Sequence, residues 1–134
     1  MKNEEFKEKI DQVLRPLNYK KKGNKWIIQT EDLTKIIELQ KSGYSNLYYI
    51  NFGISFNRLD YNAVAPHVFS RHANIFDLET ASDDIVDRLL VESLNLITEI
   101  FERLITFNDA LGYIETLPSL NMLPLRVKEF LNLK

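Results

Sequence analysis

The amino-acid sequence predicts an α+β domain: a four-stranded antiparallel meander sheet packed against helices, with one helix before the sheet and a long helix plus two short ones after it. Three observations carry that expectation. Turn signals at Gly23-Asn24, Thr30-Glu31-Asp32 and Gly43-Tyr44-Ser45-Asn46 divide residues 19–57 into short extended runs. Alternate residues between Leu47 and Asn57 separate into an apolar and a polar set. From Ser82 to Phe107 the apolar period changes to that of a helix.

Each element has its own signature. Residues 3–15 place Phe6, Ile10, Val13 and Leu14 at helical spacing, with Asn3 as the expected N-cap and Glu4 and Glu5 complementing the positive end of the dipole. Pro16 ends that helix, because its ring removes a donor and disfavours helical geometry at the residue before it. Two extended runs on either side of Gly23-Asn24 form a hairpin, since both turn residues tolerate positive φ. Leu33 to Ser42 and Leu47 to Asn57 follow as the third and fourth strands. In the fourth, Tyr48, Ile50, Phe52, Ile54 and Phe56 share one parity, while Tyr49, Asn51, Gly53 and Ser55 share the other. One face is therefore core and the other polar or amphipathic.

Residues 58–81 contain Pro66, both histidines and no sustained period, and read as an ordered loop or short helical turn crossing the sheet. Loops of that length inside compact domains are often functional. Ser82 is the expected N-cap of the long helix, whose narrow polar stripe is Asp84, Arg88, Glu92, Asn95, Glu99 and Arg103. The remaining apolar surface is wide enough to imply burial on more than one side. Asn108 is expected to cap a shorter helix to about Leu117, and Pro118 and Pro124 punctuate a final segment over 125–133.

Length and composition bound the function. A chain of 134 residues suits a single domain, residues 1–134, with one self-sufficient core. It contains no cysteine, which removes disulfides, thiolate metal sites and cysteine nucleophiles, and a reducing cytoplasm fits best. The acidic amino terminus lacks the pattern of a signal peptide, and no apolar run approaches the ~20 residues of a membrane span. Net charge is −2, distributed as +4 over residues 1–25 and −6 over the remainder. That polarity can orient a partner, but a nucleic-acid surface usually needs a broader basic face, so nucleic acid is disfavoured as a partner.

No motif names a reaction or a cofactor. His67 and His72, five residues apart with Asp77 and Glu79 downstream, have the wrong offset for one helix face and no accompanying metal-binding spacing. Asp32 ahead of Glu38-Leu39-Gln40-Lys41 imitates a nuclease pattern only loosely. Lys20, Lys21, Lys22 and Lys25 beside Trp26 could grip phosphate, although lysines on an outer hairpin also discourage edge-to-edge association. The most suggestive polar set is Gln40, Ser42, Asn51 and Ser55, with Arg58 and Arg71 as neighbours and Gly53 permitting close backbone approach. These side chains either line a shallow ligand site or satisfy one another's hydrogen bonds.

The run from Phe6 through Pro16-Leu17-Asn18-Tyr19-Lys20-Lys21-Lys22-Gly23-Asn24-Lys25-Trp26, then Ile37-Glu38-Leu39-Gln40-Lys41-Ser42 and Tyr49-Ile50-Asn51-Phe52-Gly53-Ile54, resembles the bacterial domain-of-unknown-function family 4304. That resemblance implies a helix and hairpin preceding two longer strands, supplies no activity, and marks Gln40, Ser42, Asn51, Gly53 and Arg71 as the residues of interest. Together with the residues themselves it points to a non-catalytic binding or protein-interaction module without a cofactor, recognising a protein or small molecule. The competing expectation is a small metal-dependent hydrolase built on Asp32, Glu38, His67, His72 and Asp77. A homodimer through an exposed sheet edge is a third.

Overall fold

The computed structural model describes residues 1–43, 45–59, 66–117, 123 and 125–131. Among these the chain lays down α1 (Asn3–Leu14), β1 (Lys20–Lys22), β2 (Lys25–Gln29), β3 (Leu33–Lys41), β4 (Leu47–Phe56), β5 (Val68–Asp77), α2 (Asp83–Glu102), α3 (Phe107–Glu115) and α4 (Leu125–Phe130). The strands pair antiparallel in sequence order, β1-β2-β3-β4-β5. The architecture is thus the expected α+β meander, with five strands rather than four. Among the described residues no helix is long and apolar enough to cross a membrane.

The helices lie on one face of the sheet because that face carries most of its apolar side chains. Tyr48, Ile50, Phe52, Ile54 and Phe56 of β4 are all buried, as the alternation of their side chains requires. They meet Phe6, Ile10 and Leu14 of α1 and Val86, Leu90, Leu94, Ile97 and Phe101 of α2 in one core cluster. The Phe6 ring lies 5.3 Å from Phe76 and 5.7 Å from Tyr48, and Phe52 meets Phe101 edge-on at 6.1 Å. Trp26 is fully buried, and its indole N–H donates to Asp11 Oδ1 at 3.1 Å, which ties β2 to α1.

One charged side chain enters this layer. Lys35 shares the inward parity of Ile37 and Leu39, and its ammonium donates to the Phe101 carbonyl at 2.7 Å. That carbonyl belongs to the last turn of α2, where it also accepts from the Leu104 N–H at 3.0 Å and the dipole is negative. Burial lowers the Lys35 pKa, and the nearby Glu102 carboxylate partly restores it.

The main correction concerns residues 58–81. Within that stretch, expected as a loop or helical turn, Val68–Asp77 forms a ten-residue strand. Its pattern is mixed: Val68 and Phe76 are buried, but exposed Phe69 and Ile75 point away from the helices while Asn74 points toward them. Asn74 Nδ2 donates to Ser93 Oγ on α2 at 2.9 Å, and Ser70 bonds the Tyr113 hydroxyl on α3. Between Tyr49 and Asn51 the register shifts, so that His72, Ala73 and Asn74 stand opposite Ile50 alone. An inward polar set and a bulge together erase the alternation by which a strand is recognised.

Helix starts need smaller corrections. Lys2 rather than Asn3 precedes α1 and provides no side-chain cap. Ser82 caps α2 as expected, accepting from the Ile85 N–H at 3.3 Å. Thr106, not Asn108, caps α3, in a reciprocal capping box with Asp109. The α2 surface is covered less widely than its composition suggests, since Ile85 and Leu96 remain exposed.

Candidate functional site

Strand pairing assembles the outer face of the sheet, which carries no helix among the described residues. Directly opposed residues share a face in an antiparallel ladder, and the registers align Lys25 with Glu38, Glu38 with Asn51, and Asn51 with Arg71. One row across four strands thus reads Lys25, Glu38, Asn51, Arg71. The adjoining row sets Gln40 beside Tyr49 and Tyr49 beside Ile75.

These side chains form a connected network around Asn51, which is fully buried although it lies on the outer face. Its Nδ2 donates to Gln40 Oε1 at 2.7 Å and to Glu38 Oε1 at 3.3 Å, while its Oδ1 accepts from Arg71 Nε at 3.1 Å. Arg71 Nη2 donates to the same Gln40 oxygen at 2.8 Å. The Arg71 guanidinium stacks over the Tyr49 ring, 4.3 Å from its centroid. At the far end of the row Lys25 pairs with Glu38 at 3.8 Å. Every buried side-chain nitrogen and oxygen among the described residues has a partner.

Arg71 is the exposed terminus of this network. A guanidinium carries five N–H donors in a planar fork, and the bonds to Asn51 and Gln40 use its Nε edge. The opposite edge, one hydrogen from each Nη, faces outward and is uncommitted among the described residues. Three elements hold it in place: β5 carries it, Tyr49 of β4 supports its plane, and Gln40 of β3 fixes its rotation. Such a group can take a carboxylate or phosphate bidentately without first losing rotamer entropy.

Charge on this face is locally positive. Lys20, Lys22, Lys25 and Arg71 share its parity, against Glu38 and, at the far end of β5, Asp77. The Asp77 carboxylate is engaged by Thr80 and the Glu79 N–H, and those hydrogen bonds hold its pKa below the usual value. An open hollow of about 410 Å³ beside the network is lined by Lys22, Lys25, Glu38 and Gln40. A larger one, about 770 Å³, lies next to it over Lys20, Lys22 and Ile27.

The structure gathers some of the sequence-derived site residues and separates others. Gln40, Asn51 and Arg71 converge. Ser42 lies just beyond β3 on the parity of Gln40, its N–H bonded to the Leu47 carbonyl at 2.8 Å. Gly53 lies next along the outer face of β4, where a Cβ would collide with the Val68 carbonyl and sit 2.8 Å from Pro66 Cβ. Arg58 is on the turn after β4 and joins none of the network's hydrogen bonds. Sequence reasoning missed Lys25 and Tyr49 as members; the signal that could have placed them is the register, which needs the paired strands.

The residues of the hydrolase alternative are dispersed. Asp32 Oδ2 accepts from the Phe107 N–H at 2.9 Å, at the start of α3. His67 is buried, its Nδ1 accepting from the Phe56 N–H at 3.0 Å and its ring stacked on Phe56. His72 is half-buried on β5, with its pKa lowered by desolvation, and Glu38 belongs to the outer row. Among the described residues no three His, Cys, Asp or Glu side chains cluster as metal ligands.

The profile of a family described as Domain of unknown function (DUF4304) matches residues 10–100. The chain belongs to the DUF4304 family. The matched segment of this DUF4304 domain includes all five strands and nearly all of α2, and so the entire Arg71 network. Comparison with curated proteins and with solved structures returned no match.

Proposed function

We propose that this DUF4304 domain is a non-catalytic protein-interaction module, acting in the cytoplasm, whose open sheet face takes a carboxylate of a partner protein on Arg71. The observation that carries the reading is the immobilised guanidinium, stacked on Tyr49 and hydrogen-bonded to Asn51 and Gln40 with its outer fork turned to solvent. Exposed Phe69 and Ile75 lie on the same face, and an arginine among aromatic and aliphatic side chains has the composition of an interface hot spot. The surrounding lysines favour approach of an acidic segment by long-range attraction.

Titration with a short polyglutamate peptide, followed by amide chemical shifts, tests this. The Tyr49, Asn51 and Arg71 amides should shift, Arg71→Ala should weaken binding by about tenfold or more, and Arg71→Lys should recover little, because an ammonium neither stacks nor forks. Peptide-induced shifts confined to the helical layer, or binding indifferent to Arg71→Ala, would remove the proposal. A rise in melting temperature with magnesium, manganese or zinc would instead favour the hydrolase, since a ligand that binds only the folded state stabilises it.

A further inference from the structure

We infer that the domain forms a symmetric homodimer through the outer edge of β5 and the flank of α2 that lies beside it. This is independent of the sheet-face proposal.

The flank is defined by two contacts. Asp87 faces α1, where its carboxylate pairs with Lys9 at 3.2 Å, and Ser93 faces β5 through Asn74 at 2.9 Å. At about 100° per residue, Leu89, Leu96 and Ile100 fall on the Ser93 side, with Ile85 at its margin, turned away from α1. Leu96 is 54% exposed and Ile85 45%, while Leu89 and Ile100 are only partly covered. Beside this stripe runs β5, which among the described residues pairs only with β4. Alternate N–H and C=O groups of a ten-residue strand therefore point outward from the sheet.

A second copy is the occupant because the stripe is complementary to itself. Ile85 and Ile100 are equidistant from a point between Glu92 and Ser93, and so are Leu89 and Leu96. An antiparallel pairing about a two-fold axis at that point sets Ile85 against Ile100 and Leu89 against Leu96, each contact occurring twice. In the same register Arg88 and Glu99, both exposed on the solvent rim, come within about one helical turn of their opposites on the second copy, and these two pairs offset the approach of the two Glu92 carboxylates near the axis. The β5 bulge limits regular strand pairing, so the helix stripe supplies most of the buried apolar area. The two basic sheet faces would then lie side by side.

Sedimentation velocity over a concentration series should show a species of twice the 15.7 kDa chain mass. Leu96→Glu, at an exposed position, should raise the dimer dissociation constant about tenfold or more with an unchanged circular dichroism spectrum. The chain has no cysteine, so Glu92→Cys provides a unique thiol close to the axis, which a short bismaleimide should link to its counterpart. A wild-type chain that stays monomeric at every concentration overturns the inference. So does a dimer that Leu96→Glu leaves intact, or one in which Glu92→Cys is not linked.

Discussion

His67 shows how one side chain can substitute for a missing ladder partner. Its Nδ1 accepts the Phe56 N–H inside the protein, where an unpaired donor costs about 1–3 kcal/mol. His67→Ala should therefore lower stability to denaturant by about that amount, and a variant within 0.5 kcal/mol of wild type, on the precision of such mutational data, would show that water replaces the ring. Gly53 is constrained from the other direction. Because a Cβ there would meet the Val68 carbonyl and Pro66, Gly53→Ala forces backbone to move, at a cost of about 1–3 kcal/mol for overpacking. Chemical denaturation of the purified variant measures it. The sequence suggested close approach at Gly53; that Pro66 and β5 make the approach depends on how the strand returns.

At the scale of elements, α3 depends on its first turn. Asp109 Oδ2 accepts from the Ile105 and Thr106 N–H groups at 3.0 and 2.9 Å, which holds its carboxyl below the usual range. Thr106 Oγ1 accepts in return from the Asp109 N–H at 3.2 Å. Thr106→Ala should cost about 1 kcal/mol, read as a melting temperature lower by about 3–6 °C. The helix itself was legible from its apolar spacing, but its cap was not, because Thr106 and Asn108 are both acceptable cap residues and only the backbone geometry chooses between them. The strand β5 was hidden for a related reason. Ser70 and Asn74 face the helices, and their hydrogen bonds to Tyr113 and Ser93 make polar residues acceptable on an inward face.

At the scale of the whole molecule, alkaline pH tests the junction between the sheet's first hairpin and the end of α2. Burial, with the Glu102 charge adding to it, pushes the Tyr19 hydroxyl up to about 12 from its ordinary 10.0. The unfolded chain thus releases this proton first as pH rises, so stability is undiminished below pH 10 and falls between pH 10 and 12. Two pH units correspond to roughly 2–3 kcal/mol. Tyr19→Phe should flatten that part of the pH–stability curve; equal slopes for variant and wild type would refute the assignment. Lys35 acts with the opposite sign. Burial lowers its pKa, so its contribution to stability rises with pH between that lowered value and 10.5, a window that lies almost wholly below the one in which Tyr19 acts.

The sequence by itself determined which residues of β4 face the core, where α1 and α2 run, and that Gln40, Asn51 and Arg71 merited attention. The strand and helix assignments follow from local stereochemistry, since side chains alternate along a strand and repeat every 3.6 residues along a helix, whereas Arg71 stood out through the family resemblance and not through any period. Only the tertiary structure decided that Lys25, Glu38, Asn51 and Arg71 stand in one row, that β5 is a strand, and that Ile85 and Leu96 of α2 stay exposed. Register is a property of paired strands, and burial a property of neighbours. Arg71 is 20 residues beyond Asn51, and no local rule of chain geometry could bring their side chains within 3.1 Å.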